Sequence, residues 1–312
     1  MAVPAARGVE HPWQVVDLLD TADGATLTMH EQLLKVLPVG RPPVRIPVGD
    51  VAVVLVRDTT TVSGQVLTAL SARGTALLVC DWRGVPVGGT WPWREHSRIG
   101  ARTRAQVQCP RPRAKQAWAA IVRSKILGQA WVLRSQRGED SGWRRVGEYA
   151  AAVRSGDLDN REGVAAAAYW RSFADGFVRD RHLADPVNSA LNYGYTVLRG
   201  HAVRAVAQAG LCPAIGVFHR GPDNQFALAD DLMEPFRPAV DATVLALSAS
   251  GELDMSLQEC RRRLVRACST PMQESAGVSV TNAMVSAAQG LGMFFEQQRA
   301  VFQVPSWRGI LD

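Results

Sequence analysis

Several features that announce a protein's class are missing from this chain. Its five cysteines (Cys80, Cys109, Cys212, Cys260, Cys268) are odd in number and scattered, and none forms a CxxC pair. That argues against a zinc cluster or a disulfide framework and leaves buried free thiols in a reducing compartment. No stretch approaches the roughly twenty apolar residues of a membrane-spanning helix, and no basic start leads into an apolar export signal. The expectation is a cytoplasmic protein with no membrane association. Internal repeats and low-complexity tracts are lacking too. Lysine is nearly absent, since only Lys35, Lys115 and Lys125 occur among 35 basic residues. An arginine fork suits phosphate, but codon usage yields the same ratio, so the scarcity alone decides nothing.

What is present describes a globular chain. Of 312 residues, 47% are hydrophobic and 21% charged, which excludes disordered and fibrous classes. That length admits one large domain or two medium ones with a sizeable core. The net charge of +6 is unevenly placed: residues 1–100 balance to zero, 101–150 carry +8 and 151–312 carry −2. A basic window of this kind faces either a polyanion or simply water.

The first hundred residues read as short strands. Val51–Val56 is a β-branched run of strand length, Ser63 can cap a helix from about Val66 to Ala72, and a second apolar run follows at Ala76–Cys80. The Gly- and Pro-dense segment Gly84–Trp93 is expected to be a linker. Beyond it, Trp118, Ile121, Val122 and Ile126 recur at helical spacing behind Pro112, ringed by Arg111, Arg113, Lys115, Arg123 and Lys125. Further helices are expected from Asp159 or Asn160 to about Leu183, from Asn188 to Gly210, over Leu257–Cys268 and over Ala276–Val304. The resulting fold class is α+β. A small β-rich N-terminal domain (1–100) precedes a larger, all-helical C-terminal domain (101–312).

Chemistry concentrates around one histidine. His219 ends the apolar run Ala214–Phe218, which brings it from the interior toward a surface. Asp231 and Glu234 follow, three residues apart and so able to share a helical face. Glu162 falls in the first turn of its helix, where a carboxylate is favoured. Each has a plain structural reading, as a hydrogen-bonded histidine, a solvated acidic turn and a dipole-favoured acid. Together two carboxylates and an imidazole make a hard, oxygen-rich site suited to Mg²⁺ or Mn²⁺.

Three longer motifs narrow the choice. Asn188–Tyr195 with Leu198, Phe218–His219–Arg220, and Phe226–Pro238 occur in an order that resembles the CRISPR-associated integrase of the spacer-adaptation module, type II variety. The likeness is strongest over residues 160–240. It implies a homodimer with a β-rich N-terminal domain for dimer and partner contacts, and a helical domain holding a divalent metal on Glu162, His219 and Glu234. Asp231 is the second-choice acid of that turn. It further implies attack of a spacer 3′-hydroxyl on a repeat phosphodiester, double-stranded DNA as substrate, a small adaptation partner protein and the type II effector nuclease. Arg111, Arg113, Lys115 and Arg123 are then expected on the DNA backbone. Arg220 is expected either on phosphate or, preferably, paired with Asp230 or Asp231, and Arg261–Arg263 is a second possible phosphate contact. Of Tyr193 and Tyr195, two apart on a helix, one is expected in the core and one near metal or DNA. The competing readings are a non-catalytic nucleic-acid-binding scaffold and a metal-dependent small-molecule hydrolase.

Overall fold

Valine-rich segments of the first ninety residues form two four-stranded sheets in a computed structural model that describes residues 15–21, 23–92, 96–273 and 277–309. The strands are β1 (Val15–Asp17), β2 (Ala25–His30), β3 (Leu33–Pro38), β4 (Val44–Pro47), β5 (Val53–Arg57), β6 (Thr60–Val62), β7 (Ala76–Cys80) and β8 (Pro86–Thr90). Helix α1 (Gly64–Ala72) lies between β6 and β7, and the Ser63 side chain accepts from Val66 N–H at its start, as expected. One sheet runs β1-β5-β7-β8 and the other β4-β3-β2-β6. In β5, Val53 and Leu55 join the core of the helical region, whereas Val54 and Val56 pack with Leu27, Leu34, Ile46 and Leu70. A strand covered on both faces needs an unbroken apolar run, and Val53–Val56 is one.

The expected linker over Gly84–Trp93 is corrected. Residues 86–90 form the edge strand β8, antiparallel to β7. Edge position explains its tolerance of Pro86, Gly88 and Gly89, because only one side of an edge strand hydrogen-bonds. Trp93 and the segment before Trp13 lie outside the described residues.

The rest is helical: α2 (Ile99–Val107), α3 (Arg111–Arg137), α4 (Trp143–Ala151), α5 (Arg161–Phe173), α6 (Pro186–Gln208), α7 (Ala227–Met233), α8 (Arg237–Ala249), α9 (Gln258–Ala267) and α10 (Val280–Phe295). No helix among the described residues is long and apolar enough to cross a membrane. Two helices are shorter than expected. α5 stops at Phe173, where Ala174 is extended and Gly176 takes φ +70°, so Phe177 folds back onto Trp170 and Phe173. α10 stops at Phe295, and the chain beyond it is extended, with Phe302 and Trp307 returning to the core.

Helix α6 runs through the centre and ties the other elements by buried hydroxyls. Tyr193 donates to Asp17 Oδ2 at 2.7 Å, and Tyr195 donates to Asp241 Oδ1 at 2.5 Å. Asp241 Oδ2 also accepts from Tyr169 of α5 at 2.9 Å. Both tyrosines are therefore buried ties between elements, and Tyr195 lies under Arg237, the partner of Glu234. On α3, Gly128 lets α8 come close, since a Cβ there would stand 2.7 Å from Pro238 Cγ. That approach brings α3 against the segment that starts α8.

Burial lifts the Asp241 carboxyl from 3.8 to about 6, despite the two tyrosine hydroxyls. With the folded value above the unfolded one, the associated stability is complete below 3.8 and is lost as pH rises through about 6. Relative to Asp241→Asn, the wild type should lose up to about 3 kcal/mol between about pH 4 and about pH 7 in urea unfolding. A difference that grows with pH in favour of the wild type would contradict this.

Candidate functional site

Two acids from distant segments converge on one half-buried lysine. Lys125 lies one turn before Gly128 on α3. Glu162 is fixed by the start of α5, where Asn160 caps Gly163 N–H and the Asp157 carboxylate accepts from the N–H groups of Arg161 and Glu162 at 2.8 and 2.9 Å. Glu234 opens a single 3₁₀ turn between α7 and α8, with Pro235 next to it. Lys125 Nζ stands 2.6 Å from Glu162 Oε1 and 2.7 Å from Glu234 Oε2. Arg237 Nη2 holds the other Glu234 oxygen at 2.9 Å. Burial opposes the Lys125 ammonium, but Glu234 and Glu162 outweigh it and raise its pKa. Burial likewise works against ionised Glu234, yet Arg237 and Lys125 hold its pKa below the ordinary value. The set is mutually paired.

His219 comes from a tight turn wrapped around a single carboxylate. Asp231, fully buried, accepts from Val217 and Phe218 N–H through Oδ2 and from His219 N–H through Oδ1. Its Oδ1 also lies 2.6 Å from His219 Nδ1. An ionised carboxylate only accepts, so Nδ1 carries the proton and Nε2 of the neutral ring presents a lone pair. The hydrogen bond to Asp231 raises the His219 pKa over the opposing effect of burial. Gly216 is required here, because a Cβ would come 2.9 Å from Asp231 Oδ2. The Asp231 oxygens are thus engaged by the 217–219 turn, and they fix the orientation of the His219 ring.

Glu162 and Glu234 thus meet across Lys125, and His219 is close enough to Glu234 for the two charges to influence each other. The donors suit a hard divalent ion. Glu234 Oε2 makes no well-directed hydrogen bond although Lys125 Nζ is 2.7 Å away, so it is an acceptor with capacity to spare. As the side chains stand, no group of three His, Cys, Asp or Glu among the described residues is arranged to hold an ion. Beside His219, half-exposed Phe218 stacks flat on buried Trp118 of α3, centroid to centroid 4.3 Å.

Some of the basic window bonds within the fold, although most of its side chains stay exposed. Arg102 is buried and bonds the Ala209 carbonyl, Gln289 and Glu296. Arg113 donates to the carbonyls of Phe294 and Arg299 and lies over the Phe294 ring, and Arg123 donates to the Val153 carbonyl. Arg123 keeps an exposed side chain beside that bond. Arg261, Arg262 and Arg263 face Asp20, Glu259 and Glu252 respectively. Arg111, Lys115 and Arg220 are exposed. Arg220 does not take the expected acids, because Asp230 pairs with Arg199 and Asp231 with His219. Arg111, His219 and Arg220 instead line one open cleft of about 660 Å³.

Two site residues escaped sequence reasoning. Lys125 was hidden beside an apolar helical stripe, and Arg237 three residues after Glu234 carried an i,i+3 signal that could have found it.

Compared with known proteins, the chain matches the family described as "CRISPR associated protein Cas1" over residues 18–265. It is 40% identical over 214 residues to the CRISPR-associated endonuclease Cas1 of Neisseria meningitidis serogroup C (strain 8013), covering 68% of this chain and 69% of that protein. Its fold is similar to a casposase bound to integration product, with TM-score 0.76 and 17% identity over 96% of this chain and 94% of the other. It is also similar to a chain of a Cas6-RT-Cas1–Cas2 complex, with TM-score 0.73 and 20% identity over 96% of this chain and 37% of the other.

The division of labour between Asp231 and His219 is testable by urea unfolding. Asp231→Ala strips three backbone N–H groups of their acceptor and should cost about 3 kcal/mol or more. His219→Ala, at a part-exposed ring, should cost less than about 1 kcal/mol. Equal losses would contradict the assignment.

Proposed function

The chain belongs to the Cas1 family of CRISPR-associated proteins, and from that premise we propose that it is a divalent-metal-dependent DNA endonuclease and integrase of spacer adaptation. The reaction is attack of a spacer 3′-hydroxyl on a repeat phosphodiester. The observation that carries this reading is the gathering of Glu162 and Glu234 around one half-buried cation, beside a histidine whose Nδ1 is tied to Asp231. Support comes from the Neisseria relative, which is named as an endonuclease, and from the casposase of similar fold, which is bound to an integration product.

Glu162, Glu234 and His219 would hold Mg²⁺ or Mn²⁺, which when bound supplies Lewis acidity toward the oxygens of the phosphodiester. The chain's own residues do the positioning. Arg237 keeps Glu234 in place, and Asp231 keeps His219 Nε2 open to the site. Arg111 and Arg220 line the cleft beside His219, where they can neutralise backbone phosphates without reading sequence, which suits an enzyme that accepts any spacer. Lys115, exposed on the same helix as Arg111, extends that basic edge. The protein acts as a homodimer with a small adaptation partner, in keeping with the Cas1–Cas2 pairing named for one structural relative, and in type II systems with the effector nuclease.

Joining of a labelled 3′-hydroxyl DNA end into a repeat-containing duplex, with Mn²⁺ or Mg²⁺, tests the reading. Glu162→Gln and His219→Ala should each lower joining by about 100-fold or more while leaving DNA affinity intact. Arg111→Ala and Arg220→Ala should weaken DNA binding and reduce its salt slope by about 1 each. Joining retained in both Glu162→Gln and His219→Ala sinks the site. DNA binding without joining in any metal leaves the scaffold reading, and no DNA affinity at low salt leaves the small-molecule hydrolase.

A further inference from the structure

We propose that Lys125 is an exchangeable resident cation of this site. In the metal-free chain its ammonium holds Glu162 and Glu234 together, and a divalent ion takes the two acids only by displacing it. The inference rests on the metal-site reading above.

The geometry supports exchange. Lys125 Nζ sits 2.6 and 2.7 Å from one oxygen of each acid. An ammonium and a divalent ion of like sign cannot share that space, because their repulsion at such a separation is among the strongest forces available to the site. While the ammonium is there, no three ligands are arranged for an ion among the described residues. Its bond to Glu234 is an ion pair without a well-directed hydrogen bond, so it is the one readily given up. Glu234 does not drift when Lys125 leaves, because Arg237 keeps its other oxygen at 2.9 Å. Glu162 is anchored at its backbone, whose N–H is held by Asp157 in the first turn of α5.

The residue type fits the task. A lysine is a compact point charge on a flexible stem, whereas an arginine fork would lock both carboxylates in a bidentate pair. In a chain with arginine at nearly every basic position, one of three lysines stands between these two acids. The consequence is a site assembled before metal arrives, whose metal affinity is set by an internal competitor.

The scarcity of lysine makes the test clean. Wild-type protein is acetylated with an amine-selective reagent, with and without saturating Mn²⁺, and Lys35, Lys115 and Lys125 are quantified by mass spectrometry. Mn²⁺ should raise labelling of Lys125 several-fold and leave exposed Lys115 and half-buried Lys35 unchanged. By calorimetry, Lys125→Met should bind Mn²⁺ about tenfold more tightly than the wild type, while its metal-free melting temperature falls. Mn²⁺ binding that leaves Lys125 labelling unchanged or lower, or a Lys125→Met variant that binds no more tightly, overturns the exchange. Absence of Mn²⁺ binding by the wild type is a different result, because it removes the metal site itself and this inference with it.

Discussion

The arrangement depends on one half-buried ammonium between two carboxylates. Glu162 and Glu234 come from segments far apart in the chain, and two acids this close in a poorly solvated place repel strongly unless a cation lies between them. Lys125 supplies that cation from α3, and α3 can reach only because Gly128 lets it lie against Pro238. Behind Glu234 the charge pairing continues. Arg237 holds its second oxygen and lies over the Tyr195 ring, whose hydroxyl donates to Asp241, which in turn binds Tyr169 of the helix that starts near Glu162. The site and its supports form one loop of paired groups through α3, α5, α6 and α8.

Carboxylates in this region fall into two kinds, and the difference is in what satisfies them. Asp231 and Asp157 accept from backbone N–H groups and shape turns. Glu162 and Glu234 face side-chain cations instead. An acid saturated by fixed N–H donors has little left for a ligand, whereas an acid paired to a mobile cation can change partner. This separates Asp231 from Glu234 although they are only three residues apart.

That separation also marks where sequence reasoning reached and where it stopped. Local signals survived: Ser63 and Asn160 cap the helices they were expected to cap, and the change from strands to helices falls where the charge pattern shifts, near α2. The motifs around His219 and Glu234 fall beside the Lys125 cluster. What failed was non-local. The closing of the 217–219 turn around Asp231 could not be read from its spacing to Glu234. Gly and Pro in Gly84–Trp93 read as a linker because nothing local says that β7 has an edge to fill. The carbonyl acceptors of Arg113 and Arg123 lie far along the chain and left no local trace either. Lys125 was invisible for the same reason, since its two partners lie in other helices' turns.

Charge balance then links metal to DNA on the proposed reading. Glu162 and Glu234 against Lys125 and Arg237 make a neutral set, so the site as it stands offers no surplus charge to a phosphate. Adding a dication to this set leaves a positive excess that the buried surroundings disfavour. Withdrawal of the Lys125 ammonium removes part of it, and an arriving phosphodiester, guided along the cleft by Arg111 and Arg220, removes more. Each ligand therefore lowers the cost of the other, and by linkage the coupling is reciprocal. On that reading, attraction for DNA resides less in the net charge of +6 than in a site whose balance is complete only with metal and phosphate together.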